Sequence, residues 1–569
     1  MVDLDLDAKR TALLNAEGHL LIAGGPGSGK TTIALLKARQ YIPRLKPEQK
    51  VLFLSFSRAA VRQVTDRMAG LLTAEFQRSI EVRTFHAFYL ELLRSHGRLI
   101  NGEPVSFITP ESEAQRKAEF DGDWKSESLR LAQDESVYAF DTLAPFTALL
   151  MARCPAVREL YSDCYPLIIV DEFQDTSVDQ WRVIKLLAER STIACLADPD
   201  QRIFEYLDGV DEYRLEDAKQ TLKPTTFDFT ADNHRSPGGG LLDYANAVLR
   251  NSPAPQTENV TLLTYWENSP EVLTHRALAA LQESLEGRVS GVPSIAVLTR
   301  TNTLAARISE RLSGPTEAPD GTVVPAVEHA LIWDPALTAV SALVVASVME
   351  WPLKDQHQAV TDTLSRIADY YRTKVGSGKK SARSSIASID RAIVAIKDGR
   401  NPRAKTAKFL LDKIEGHDLV FEGDPVQDWQ TAREGLRGTT ELDEIFRQSR
   451  LVRLLRATDA LGWGLIESWN GASGYENAAD TVKTVLANEV INSNQDDPPA
   501  VSIMTMHKSK GKEFDGVVLV EGRYGWDPFL GESIENHAAD RRLLRVAITR
   551  ARHVVVIVRP AGALRLTSS

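Results

Sequence analysis

Short apolar runs recur along the chain. Each leads through a glycine-bearing, polar or acidic turn into apolar positions at helical spacing. The segment LLIAGGPGSGKTTIALLKA, Leu20 to Ala38, is the clearest. VLFLSFSRAAVRQV from Val51 and VRTFHAFYLELL from Val82 repeat the strand-then-helix form. In YPLIIVDEFQDTS, Tyr165 to Ser177, the run Leu167–Val170 has no polar position, as a parallel strand covered on both faces requires. VSIMTMHKSKGKEFDGVVLVEG, Val501 to Gly522, reads as two strands around a basic, glycine-containing loop. RRLLRVAITRARHVVVIV, Arg541 to Val558, reads as a helix, then Arg550 and Arg552, then a strand. Strands alternating with helices predict open α/β sheets, in which ligands bind at the carboxyl ends of strands.

The turns carry the candidate chemistry. Gly24 to Thr31 fits the G-x-x-x-x-G-K-[ST] loop, with an apolar strand before it and a helix after it. Gly24, Gly27, Ser28 and Gly29 let backbone N–H groups wrap phosphates at the helix N-terminus, where Thr31 and Thr32 follow. Lys30 is expected at the β- and γ-phosphates and Thr31 on Mg²⁺. Asp171, at the end of an apolar strand, suits Mg²⁺, and Glu172 beside it suits activation of an attacking water. Phe56, Ser57, Thr84 and His86 fall at strand-to-helix turns, although phenylalanines at such places also serve as core. Arg235, in TADNHRSPGGG, and Arg550 are candidates to neutralise phosphotransfer charge, the alternative for Arg550 being a solvated helix face. Thr505, His507, Lys508 and Lys510 are candidate phosphate contacts, with a structural role the alternative for His507. KVGSGKKS, Lys374 to Ser381, has Gly-Lys but no strand before it, and reads as a basic loop.

Composition narrows the class without choosing the function. With 569 residues, 43% hydrophobic and 25% charged, the chain has the material for several globular cores. No apolar run reaches membrane-spanning length, and the acidic N-terminus does not read as a secretory signal, so a cytoplasmic protein without a membrane partner is expected. The three cysteines have neither a disulfide framework nor metal-site spacing. A net charge of −10 excludes a uniformly basic protein, but nucleic-acid binding needs only a local basic track.

The ordered set GGPGSGKTT, TFHAF, VDEFQDTS, LADPDQRIFEY, DNHRSP, VLTRTN, MHKSKGKEFDGVVL and RRLLRVAITRA resembles the UvrD/Rep/PcrA-like superfamily 1 DNA helicases. The resemblance runs from about Leu20 to Val558 and implies two RecA-like parallel-sheet motor domains around an ATP cleft. It implies ATP and Mg²⁺ as cofactors, and 3′-to-5′ movement on single-stranded DNA toward single-strand/duplex junctions. Arg235 and Arg550 are then arginine fingers, Gln201 the γ-phosphate sensor and Glu513 the glutamate near the ribose. Tyr206 stands where the family has a base-stacking tryptophan, with Phe204 beside it. Asn302 and His507 match further DNA contacts, and Phe56, Ser57, Thr84, His86 and Thr505 are grouped with them. Three regions depart from the family. Lys9 and Arg10 occupy the region of the adenine-reading glutamine, His234 replaces a tyrosine that stacks on the nucleotide base, and Leu207 replaces an arginine.

The expected organisation is a first motor domain over 1–96 and 161–232 and a second over 233–340 and 495–569. Helical insertions are expected at 97–160 and 341–494. Within the second, twelve cations from Arg372 to Lys413 make a basic stretch, readable as a DNA track or as a solvated helical face. No segment resembles a nuclease domain or the polymerase-binding tail of longer relatives. A helicase or translocase acting in DNA repair is therefore one reading. The alternative is a nucleotide- and DNA-sensing subunit of an anti-phage defence complex with a separate nuclease. An RNA-directed helicase has no RNA-specific module to support it.

Overall fold

The computed structural model describes residues 6–108, 113, 116, 120, 123–202, 213–230, 232, 240–266, 270–317, 321, 323–332, 335–376, 383–416, 419–449, 464–492, 500–523, 527–531, 533–534 and 537–568. Its contacts divide the chain into two compact units. One comprises Met1–Phe107, Leu129–Ile332 and Pro498–Ser569; the other comprises Ile108–Ser128 and Trp333–Asp497.

The first unit holds two six-stranded sheets. The first contains β1 (Leu20–Gly24), β2 (Val51–Ser55), β3 (Ile80–Thr84), β4 (Leu167–Val170), β5 (Thr192–Ala197) and β6 (Thr225–Phe229). Their order is β3-β2-β4-β5-β1-β6, every pair parallel. The second contains β7 (Val260–Tyr265), β8 (Ile295–Thr299), β9 (Ala330–Leu331), β10 (Val501–Thr505), β11 (Phe514–Val520) and β12 (Ala551–Pro560). Their order is β9-β10-β8-β11-β12-β7, again all parallel. Both sheets are thus of the open α/β class that the alternating pattern predicts.

Period-two alternation explains why these strands read as unbroken apolar runs. Leu52, Leu54, Ile168 and Val170 enter one core, with Phe85, Phe88 and Trp181. Their alternates Val51, Phe53, Leu167 and Ile169 enter a second core on the opposite face, with Ile33 and Leu35. The second sheet repeats this. Ala296, Leu298, Val517 and Leu519 share one core, and Ile295, Val297, Val518 and Val520 another. A strand covered on both faces has no position left for a polar side chain.

Register then aligns the carboxyl ends. Gly24 pairs with Phe229, Leu54 with Val170, and Ser55 with Thr84. The turns after β1, β2, β3, β4 and β5 therefore emerge at one edge. Three of these strands feed helices directly: α1 (Lys30–Tyr41) follows β1, α2 (Arg58–Leu71) follows β2 and α3 (Phe85–His96) follows β3. Ser57 caps α2 by accepting the Ala60 N–H, and Thr84 caps α3 by accepting the Ala87 N–H. In the second sheet, α4 (Asn302–Leu312) follows β8 and α5 (His537–Ile548) precedes β12.

Part of the segment expected as a first insertion is core. Ala132, Tyr138, Leu143, Phe146, Leu150 and Met151 pack with β2, β4 and α3, and only Ile108–Ser128 falls in the other unit.

That other unit is helical, built around Trp351, Tyr370, Tyr371, Trp429 and Tyr475. Its buried Asp428 is satisfied by the Glu422 and Gly423 N–H groups at 2.9 and 2.8 Å and by the Tyr475 hydroxyl at 2.6 Å. The basic stretch lies here, and three of its cations are paired locally. Arg372 pairs with Asp369 and Asp390, Lys374 with Glu444, and Arg400 with Asp398. Lys413 sits over the Phe409 ring. Lys379 and Lys380 lie outside the described residues.

Candidate functional site

The loop from Gly25 to Gly29 turns β1 into α1. Gly27 and Gly29 have φ of 76° and 84°, a left-handed backbone that glycine adopts without strain. Gly29 is also the N-cap of α1 and offers no side chain to the first-turn N–H groups. A helix start left open in this way is an anion site. The Ser28 hydroxyl is buried with no hydrogen-bond partner, and Lys30 Nζ folds back on the Gly24 and Gly25 carbonyls at 2.6 and 3.1 Å. A carbonyl pair is a weak resting place for an ammonium, and a phosphate chain would compete for it readily. The residues present therefore fit a nucleotide polyphosphate.

Asp171 and Glu172 stand at the end of β4. The Asp171 N–H donates to the Leu54 carbonyl at 2.9 Å, which holds the turn on the sheet edge. Glu172 has φ 49° and ψ 40°, a left-handed conformation costly for a residue with a Cβ. Its Oε2 accepts from Gln174 Nε2 at 2.6 Å and lies 3.9 Å from Lys510 Nζ. Burial and the neighbouring Glu172 charge push the Asp171 carboxyl up. Burial acts on Glu172 in the same sense, but Lys510, Lys30, Gln174 and Arg550 outweigh it and hold this carboxyl below its usual value. One carboxylate is thus kept ionised beside another that burial and its neighbour push toward the neutral form despite Lys30 and Lys510, an arrangement that suits a general base next to a cation ligand.

The second sheet supplies the facing groups. Lys510, in the loop after β10, pairs with Asp175 and donates to the Gln201 carbonyl at 2.9 Å. Gln201 is buried. Arg550, between α5 and β12, is buried and donates to the Val546 carbonyl at 2.9 Å. Glu513 lies between Arg67 of α2 at 3.8 Å and Arg552 at 3.3 Å. Arg545 of α5 is 3.4 Å from Asp198 and 3.8 Å from Asp200 in the turn after β5, and donates to Asn246 at 3.0 Å. Asp198 also accepts the Asp200 N–H, while its own N–H donates to Gln174.

Lys30, Asp171, Glu172, Asp175, Gln201, Lys510, Glu513, Arg550, Arg67 and Arg552 line one cavity of about 750 Å³, with the Arg545–Asp198 pair outside its lining. Of the sequence candidates it takes in Gly27, Ser28, Gly29, Lys30, Thr31, Thr32, Asp171, Glu172, Gln201, Glu513 and Arg550 from the nucleotide set, and Phe56, Ser57 and His507 from the DNA set. Gly24 lies just behind it, where a Cβ would come within 2.4 Å of the Ser28 hydroxyl oxygen. Thr84, His86, Asn302 and Thr505 are not brought to this cavity. His86 is exposed against the Phe140 ring at 5.4 Å, Thr84 caps α3, Thr505 is buried, and the Asn302 Oδ1 is buried with no hydrogen-bond partner. Phe56 packs on Phe85 at 5.0 Å, so it is both core and wall. The His507 imidazole is held below its usual pKa by burial and by Arg300 and Lys510, which keeps it a neutral donor–acceptor near neutral pH. Phe204, Tyr206, His234 and Arg235 lie outside the described residues.

Several lining residues carried no usable sequence signal. Arg67 sits on a polar helix face like any other, Asp175 and Lys512 lie inside the motif segments at positions to which spacing assigns no role, and Arg552 follows the last motif without completing a recognisable spacing. Arg10, where an adenine-reading glutamine is the family pattern, stacks on Phe229 at 4.9 Å and donates to the Ser28 carbonyl at 3.2 Å and to Asp232 at 2.5 Å.

Residues 9–206 match an AAA domain family, and residues 465–559 match the UvrD-like helicase C-terminal domain. The putative ATP-dependent DNA helicase YjcD of Bacillus subtilis is 26% identical over 97% of this chain and 78% of its own length. DNA helicase II of Rickettsia typhi is 22% identical over 96% of this chain and 90% of its own. ATP-dependent DNA helicase UvrD1 of Mycobacterium tuberculosis is 23% identical over 97% and 81%. Among solved structures, the Pif1 helicase of Candida albicans aligns over 55% of this chain and 56% of that one, at 13% identity and a TM-score of 0.31, too loose a likeness to carry an argument. With a parallel-sheet site assembled from both matched ends and relatives aligned along nearly the full chain, the protein belongs to the UvrD-like superfamily 1 helicases.

Proposed function

We propose that this chain is an ATP-dependent DNA helicase or translocase, moving 3′ to 5′ on single-stranded DNA and hydrolysing ATP in the cavity between its two sheets. The observation that carries the reading is the meeting, in one cavity, of the phosphate loop and Asp171–Glu172 from the first sheet with Arg550 and Glu513 from the second. A site split between two sheets senses their separation, which is what coupling hydrolysis to movement needs.

In this reading the open N–H groups at the start of α1 hold the phosphate chain, and Lys30 leaves the Gly24 and Gly25 carbonyls to meet it. Thr31 and Asp171 would hold Mg²⁺, which supplies charge neutralisation at the phosphates. Glu172, kept ionised, accepts the proton of the attacking water. Arg550 offers its guanidinium to the charge that develops as the bond to the terminal phosphoryl group breaks. Gln201 is tied through its carbonyl to Lys510 of the second sheet. A change at the phosphates therefore reaches both the turn after β5 and the loop that carries His507. Phe56, Ser57 and His507 provide an aromatic face and polar groups for a strand whose bases are not read individually.

The directional part is tested with duplexes bearing a single-stranded tail on the 3′ or the 5′ side. Strand separation that requires ATP and the 3′ tail is the expected result. Equal or preferential separation from the 5′ tail would overturn the polarity while leaving the motor reading intact.

A further inference from the structure

Lys512 lies in the loop between β10 and β11, and its side chain lines the same cavity. It is half-buried, and among the described residues its ammonium makes no hydrogen bond or ion pair. The other cations around it are engaged. Lys30 is on the loop carbonyls, Lys510 on Asp175, and Arg67 and Arg552 on Glu513. Burial and the neighbouring Lys508 charge hold the Lys512 ammonium below its usual pKa, so its charge is uncomfortable where it stands. The loop is fixed beneath it. Its N–H donates to the Ser509 carbonyl at 3.0 Å, and its own carbonyl accepts from Arg550 at 3.4 Å. Lys512 is therefore carried by the segment that also positions Arg550 and Glu513.

A partly desolvated lysine without a partner, facing a cavity built for a polyanion, is completed by an anion arriving with the ligand. We infer that Lys512 is a further nucleotide-binding residue, giving the bound nucleoside triphosphate a charge-assisted contact from the second sheet. This rests on the reading of the cavity as a nucleotide site and adds a residue to it. The nucleotide's phosphate chain is favoured over the phosphates of a DNA strand because Lys512 adjoins Glu513 and shares the cavity with the phosphate loop and with Gln63 and Arg67 of α2.

The test is equilibrium binding of ATP and ADP, without DNA, to the full chain and to Lys512→Gln, Lys512→Arg and Lys30→Ala variants. Lys512→Gln is expected to weaken ATP binding about tenfold or more, the scale of one charge-assisted hydrogen bond, and Lys512→Arg to restore most of it. Thermal melting without ligand should be unchanged or slightly raised in Lys512→Gln, because a half-buried, unpaired charge is removed. If the full chain binds ATP and loses it in Lys30→Ala, while Lys512→Gln binds as tightly as the full chain, the inference fails and the site reading stands. If Lys512→Gln keeps its ATP affinity but loses affinity for single-stranded DNA, the contact belongs to the strand and the inference is overturned. If the full chain binds no nucleotide, the site reading itself fails.

Discussion

Lys30→Ala is expected to lower ATP turnover by about 10³-fold or more, the scale seen when a preorganised charge is removed from a developing anion. Lys30 opens α1, where alanine is the better helix former, and its side chain rests only on two loop carbonyls. The substitution should therefore leave the fold intact, with an unchanged circular dichroism spectrum and melting temperature. The neighbouring cations cannot substitute. Lys510 is held by Asp175 and the Gln201 carbonyl, and Arg550 by the backbone of its own turn. A steady-state phosphate-release assay decides the matter. Turnover within a few-fold of the parent chain would remove Lys30 from the site and with it the assignment of the loop.

Glu172→Gln separates chemistry from binding. Losing a positioned general base costs about 10²–10⁴-fold in rate, and the variant is expected inside that range with ATP affinity retained. The amide is nearly isosteric with the carboxylate. It can still present an oxygen to Gln174 Nε2, and it keeps the left-handed backbone that Glu172 already tolerates. What it lacks is the basic oxygen that Lys510 and Lys30 keep ionised. Single-turnover hydrolysis with an equilibrium binding measurement on the same preparation gives both numbers. Loss of binding with unchanged single-turnover rate would reverse the roles and make Glu172 a ligand-holding residue.

What the sequence revealed follows the range of the interactions. The phosphate loop is local. Its glycines, lysine and threonine sit within one turn, and the strand and helix on either side show in the same short window. Asp171 and Glu172 were legible for the same reason, since a fully apolar strand marks where its own carboxyl end must emerge. Lys510 on Asp175 and Arg545 on Asp198 span 335 and 347 positions, and no spacing rule reaches that far. From the sequence Lys510 reads as a candidate phosphate contact and Arg545 as one more basic residue on a helix face, and neither reading names the acid that the fold brings to it.

The basic stretch from Arg372 to Lys413, readable as a DNA track or as a solvated helical face, shows the converse. Counted along the chain it is a run of cations. In space Asp369, Asp390, Asp398 and Glu444 come back to it and pair with Arg372, Lys374 and Arg400 within the helical unit. Such pairs contribute little stability individually, but they leave less net charge to attract a phosphate backbone. The expected boundary at residue 97 fails to match the packing on similar grounds. The apolar residues Leu143, Phe146, Leu150 and Met151 follow a helical spacing that any insertion would show, and only their contacts with the first sheet assign them to its core.

ATP hydrolysis by the purified chain, measured with and without single-stranded DNA, tests the central claim most directly. A motor whose nucleotide cavity continues to Phe56, Ser57 and His507 should hydrolyse slowly alone and at least about tenfold faster with the strand, since ordering that wall orders Lys510 and Gln201 with it. A rate that DNA leaves unchanged, whether high or absent, would contradict the account by showing that this chain does not couple the two halves of its cavity.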